Sequence, residues 1–210
     1  MKHLKTYWRL WLLAGLCGIS LIILLSPAKA AVVKGTNCGF VTVAPTADPA
    51  DGDTVADAFA HAMKDLVPVG ATKIVEMGWW CDNDTEAANF EVGLYSDDSG
   101  NTLPLNRLFV AATNAKGTTA GWKRVTVDWD ISGLGNGTAV WLARELDNTA
   151  TTTNTNYTAA GTGNHARRSN ATTLPDPWLN SDSGTRLYAI YAVWEAAPAA
   201  GGQVIIVNCE

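Results

Sequence analysis

Histidine, lysine and glutamate are scarce in this chain, and their scarcity narrows what it can do. Three histidines occur in 210 residues, His3, His61 and His165. Neither His61 nor His165 sits in an HExxH or nucleophile-elbow context, so zinc hydrolysis and serine acyl transfer have no motif to rest on. The four cysteines, Cys17, Cys38, Cys81 and Cys209, form no CxxC pair and no Cys/His spacing, which sets structural zinc aside. Only 17% of the residues are charged. With Gly, Thr, Asn and Ala abundant instead, the bias is toward strands and turns rather than amphipathic helices. No internal repeat is found.

What is present first is an export signal. Lys2, Lys5 and Arg9 make a basic start, Leu10 to Leu25 is an apolar run, and Ala28-Lys29-Ala30 is an A-x-A cleavage site. Residues 1–30 therefore read as a signal peptide and 31–210 as one domain. The competing reading is an uncleaved anchor, because sixteen apolar residues approach the roughly 17 to 25 that span a bilayer; Pro27 and the small residues after it favour cleavage. Leu16 stands where a lipobox would place a small residue before Cys17. The expected location is secreted, extracellular or cell surface, with membrane contact only through the signal segment.

Cleavage removes four basic residues and no acidic ones, so the net charge moves from −5 to about −9. Nucleic acid and anionic lipid both need clustered positive charge, and this balance disfavours them as partners. Neutral glycans and cations remain compatible. Of the three cysteines left, Cys38 and Cys209 lie near the two ends, which in a compact domain are often close. They are the expected disulfide in an oxidising compartment, with Cys81 buried beside Trp79 as a small hydrophobe and an intermolecular bridge as the alternative.

The stretch from Lys73 to Tyr95 organises the rest. It contains two alternating runs joined by an acidic turn and is expected to form a central antiparallel hairpin. Val75, Met77, Trp79 and Cys81 share one face of the first run; Ile74, Glu76, Gly78 and Trp80 share the other. In the second, Phe90, Val92 and Leu94 oppose Glu91, Gly93 and Tyr95. Strands are also expected from Phe59, from Leu105 to Ala112, and through GWKRVTVDWDI, TAVWLARELD and RLYAIYAVW. Arg144 interrupts an apolar stripe and so predicts an edge or an ion pair. Asn148 to Pro177 reads as exposed loop, and QVIIVNCE as a detachable last strand. The fold class is all-β, a two-sheet antiparallel sandwich.

The runs GWWCDNDTEAANFEVGLYSDDSGN, KGTTAGWKRVTVDW, LDNTATTTNTNY and LPDPW with LYAIYAVW resemble the jelly-roll, carbohydrate-binding-module-like sandwiches of secreted and cell-surface proteins. The likeness covers Ala56 to Glu195. It implies a non-catalytic module that binds sugars or cell walls, or spaces other domains.

On the residues themselves, Trp80 and Tyr95 are expected side by side on the outer face, with Glu76, Asp82 and Asn83 near enough to hydrogen-bond a sugar that stacks on the rings. Loops covering that face would instead make Trp80 core. Trp178 and Tyr157, in the polar stretch, either anchor their loop or crown a site. Asp97, Asp98 and Asn101 supply hard oxygens for a structural calcium, and a metal-free Asx turn accounts for the same letters. Glu76 and Glu91, or Asp82, Asp84 and Glu86, are the carboxylates a glycoside hydrolase would use. The alternative to glycan binding is a structural or assembly subunit of an extracellular appendage or matrix, self-associating as its terminal strand QVIIVNCE pairs with an open sheet edge.

Overall fold

The computed structural model describes residues 30–49, 52–55, 59–81, 88–100, 102–147, 153–159, 165–179 and 182–198. Residues 1–29 with Cys17, the acidic turn with Asp82 and Asn83, Asn101, and the terminal QVIIVNCE with Cys209 lie outside them. The strands are β1 (Gly39–Val41), β2 (Gly52–Val55), β3 (Phe59–Leu66), β4 (Ala71–Cys81), β5 (Asn89–Asp97), β6 (Pro104–Val110) and β7 (Asn114–Ala115). They continue with β8 (Gly121–Asp130), β9 (Ala139–Leu146), β10 (Thr153–Ala159), β11 (His165–Arg168), β12 (Asp182–Gly184), β13 (Arg186–Tyr188) and β14 (Ile190–Ala196).

These strands build an all-β sandwich. One layer is a seven-stranded sheet in the order β12-β11-β3-β9-β5-β6, with β7 also on β5; the other is a four-stranded sheet, β1-β14-β4-β8. A short sheet, β13-β10-β2, completes the fold. Every pairing is antiparallel except that of β1 with β14. The core lies between the two large sheets. Met77, Trp79 and Cys81 of β4, Phe90, Val92 and Leu94 of β5, and Val140, Leu142 and Leu146 of β9 are all within it. Burial of such side chains contributes about 1.5–3 kcal/mol each, and alternation is what delivers them to one side of each strand.

The expected hairpin does not form. β4 pairs with β14 and β8, whereas β5 pairs with β9, β6 and β7. The two runs stand in opposite sheets because each carries a full apolar face, and those faces bury each other across the interior. Trp79 and Phe90 meet there edge to face, ring centres 5.7 Å apart. The alternation in β4 also breaks once. Register shifts on both sides between Ile74 and Glu76 make Val75 a bulge, which turns Ile74 into the same core as Met77 and Trp79.

Two further expectations are corrected and a third is narrowed. Of the edge and the ion pair expected for Arg144, the edge is removed: β9 runs between β3 and β5, and the guanidinium is wholly buried, over the Trp79 ring at 5.0 Å. The stretch from 148 to 177 is more than loop, since it contributes β10 and β11. RLYAIYAVW is divided at Ala189: β13 joins the short sheet and β14 the four-stranded one.

Cys38 and Cys81 are both buried and neither is in a disulfide, so the expected disulfide through Cys38 is overturned. Burial, helped by the nearby Asp65 charge, pushes the Cys38 thiol up to about 12.

Candidate functional site

The outer face of the four-stranded sheet carries an aromatic cluster, assembled by register. Opposite Trp80 on β4 stands Trp122 of β8; opposite Gly78 stand Arg124 of β8 and Tyr191 of β14. The Tyr191 ring lies over Gly78 so closely that a Cβ there would be 2.7 Å from it. Glycine is what allows the tyrosine to lie down against the strand. From that position Tyr191 meets the Trp122 ring at 5.2 Å, and Trp122 meets Trp80 at 5.4 Å, both edge to face.

Polar groups hold the cluster in place. The Tyr191 hydroxyl donates to Glu76 at 2.5 Å. Burial, then that hydrogen bond, raises the phenol well above its ordinary value, so it remains a donor. The segment 42–49 crosses the same face: the Trp122 indole N–H donates to the carbonyl of Ala47 at 3.0 Å, and Arg124 donates to that of Pro45 at 2.6 Å. Tyr191 is sealed, while Trp80, Trp122 and Glu76 are half-buried and Arg124 is exposed. The result is a fixed, partly open pair of indoles with a carboxylate and a guanidinium beside it. Such a surface can stack on an apolar ring face and hydrogen-bond to its rim.

Tyr95 is not part of this cluster. It belongs to the opposite sheet, is fully buried, and donates its hydroxyl to the Pro175 carbonyl at 2.6 Å. Trp178 packs edge-on against it, ring centres 5.1 Å apart, and donates its backbone N–H to the Leu105 carbonyl at 2.8 Å. Trp178 therefore anchors its loop over the seven-stranded sheet, in a small core with Ala60, Ala62, Trp141 and Leu174. Tyr157 is half-buried, beneath the Arg186 guanidinium at 4.3 Å. Trp122, Tyr191 and Arg124 are the members that the sequence reading left out; their strands were visible, but which strands flank β4 was not.

Among the described residues, the other candidate acids are committed elsewhere. Asp97 pairs with Lys64 at 2.7 Å and accepts from the Trp141 indole at 2.8 Å. Asp98 accepts from the backbone of Thr102 and Leu103, an Asx-type turn that holds its carboxyl below the ordinary range although partial burial pulls the other way. Glu91 accepts from the Leu174 backbone at 2.7 Å and lies in the sheet opposite to Glu76. The carboxylates expected to face each other for hydrolysis are therefore apart. Among the described residues no group of three or more His, Cys, Asp or Glu could hold a metal ion.

A second concavity, of about 340 Å³, opens in the loop after β11. Arg168, Asn170, Thr172, Thr173 and Asp176 line it. It lies on the outer side of the other sheet, above the core that Trp178 closes.

Comparison with protein-family models, with curated proteins and with solved structures finds no match in any of the three. Fold and site thus define the class alone: an all-β sandwich with a small aromatic cluster on one outer face.

Proposed function

We propose that this protein is an exported, non-catalytic binding module that holds a carbohydrate or a neutral cell-surface polymer on the outer face of its four-stranded sheet. The observation that carries the reading is the half-open Trp80–Trp122 pair, fixed by Tyr191 and the 42–49 segment and bordered by Glu76 and Arg124. Rigid indoles lose little entropy on stacking, and flanking charged groups supply the directional hydrogen bonds. The acidic net charge argues in the same direction, toward a neutral ligand. The jelly-roll resemblance and the signal peptide are consistent with this role.

The test is titration of a panel of soluble glycans and wall polymers by calorimetry. Trp80→Ala and Trp122→Ala are each expected to weaken binding by about 2 kcal/mol, roughly thirtyfold, as central aromatic contacts do. Wild-type protein that binds no member of a broad panel sinks the proposal.

A second reading is assembly through an open edge. β6 ends the seven-stranded sheet and exposes Leu105, Leu108 and Val110, the kind of edge that accepts another strand. Light scattering across a range of concentrations separates the two: a monomer throughout removes the assembly reading.

A further inference from the structure

A row of basic side chains crosses the inner face of the seven-stranded sheet, away from the proposed binding face. Register sets Arg167, His61, Arg144 and Val92 side by side on β11, β3, β9 and β5. His165 lies diagonal to His61, two residues before Arg167. Residues at paired positions project to the same side of a sheet, so these groups share one face. His61 is 1% exposed, His165 7% and Arg144 0%.

The two imidazoles are 13° from parallel with centres 6.1 Å apart, and Tyr188 of β13 closes on both, edge-on, at 4.6 and 5.0 Å. Neither ring nitrogen of His61 has a hydrogen-bond partner. The surroundings offer a second proton little welcome. Arg144 approaches from β9, Arg167 from β11 itself, and Tyr188 with Arg186 from β13, where Tyr157 of β10 lies under Arg186. Asp182 of β12 is the one acid beside them among the described residues, and Arg167 already pairs with it at 3.1 Å.

We infer that β3 and β11 form an acid-sensitive seam: on acidification His61 and His165 take up protons and the β11–β12 edge of the seven-stranded sheet is released. A neutral imidazole is accommodated here by packing alone, but an imidazolium would be buried beside Arg144 and Arg167, and among the described residues the one acid at hand, Asp182, is already paired. β11 and β12 are four and three residues long and form the sheet's end, so they open at less cost than the centre.

Burial and the neighbouring charges support the direction. Burial, then Arg144, His165 and Arg167, holds His61 well below its ordinary 6.5. Burial, then Arg167, lowers His165 to about 4, while the Gly184 backbone and Asp182 pull weakly upward. Because both folded-state values lie below 6.5, the full stability is present above that pH and is lost as pH falls toward the folded-state values. In that window each histidine released by opening multiplies the open population tenfold per pH unit, roughly.

Hydrogen exchange followed by mass spectrometry at pH 7.5 and 5.0, corrected for intrinsic rates, reads the seam directly. Exchange across 165–168 and 182–184 is expected to rise about tenfold or more, while β4 and β9 stay protected. His61→Leu, which cannot take up the proton, is expected to flatten much of that rise. Should this variant fold poorly, imidazole titration of the wild type by NMR decides the matter: His61 is expected to stay neutral well below its ordinary 6.5 and His165 to titrate toward about 4. A His61 resonance titrating near 6.5, or β11 exchange indifferent to pH, overturns the inference.

Discussion

Single residues in this protein are decided by what a neighbouring strand brings against them. Gly39 has a φ of +71°, and a Cβ there would collide with the Asp65 carboxylate, which accepts from the Phe40 backbone at 2.8 Å. Gly35, at φ +74°, has open space around it. Both positions strain an L side chain by about 1–2 kcal/mol. Gly39→Ala is expected to exceed Gly35→Ala by about a further 1 kcal/mol in urea unfolding, because it also disrupts a partly buried hydrogen bond. Equal losses at the two sites would show that the Asp65 contact carries no weight. The same logic applies to Cys38 and Cys81. As buried thiols outside any disulfide they are expected to resist iodoacetamide in the folded protein and to react fully once it is denatured, as read by peptide mass mapping.

At the scale of elements, the loop after β11 is held to the seven-stranded sheet by two aromatic residues. Tyr95→Phe removes only the hydroxyl that reaches Pro175, and is expected to cost about 1 kcal/mol. Trp178→Ala removes a side chain 3% exposed and is expected to cost about 3–5 kcal/mol. Trp80→Ala, at a half-open site, is expected to cost clearly less in stability while costing more in ligand binding. Thermal unfolding of the three variants checks the order; a Trp178→Ala protein as stable as Trp80→Ala would remove the anchoring role. Much of this scale was readable in advance. The alternation of Phe90, Val92 and Leu94 against Glu91, Gly93 and Tyr95 holds in β5, and Phe59 to Leu66 is a strand despite its alanines. The faces were therefore legible from period two. What covers each face was not, because Leu174, Pro175 and Trp178 come from eighty residues away to seal Tyr95.

For the whole molecule, two sheets share one core, and each outer face meets a different fate. One is closed by the loop that Trp178 pins; the other is crossed by the 42–49 segment, and Trp80 and Trp122, packed at their base against Val32, Cys38, Met63 and Ala189, stay half-buried there. The proposed ligand face and the acid-sensitive seam are thus separable. At pH 7.5 the Trp80→Ala variant is expected to lose binding with β11 exchange unchanged, while His61→Leu keeps binding and alters only the pH response. Exchange and calorimetry on the same two proteins check this.

The amino-acid order alone determined that the chain is all-β, which residues of β5, β8 and β9 face alike, and that Trp80 turns away from Trp79. Those features depend on two-residue alternation, a property of neighbours along the backbone. Tertiary structure decided which strands pair, and with that the members of the aromatic cluster. β4 and β5 are close in sequence yet lie in opposite sheets, so Trp80 acquired Trp122 and Tyr191 as companions rather than Tyr95. Strand partners are chosen by where whole apolar faces can be buried together, and that is a balance no local window contains.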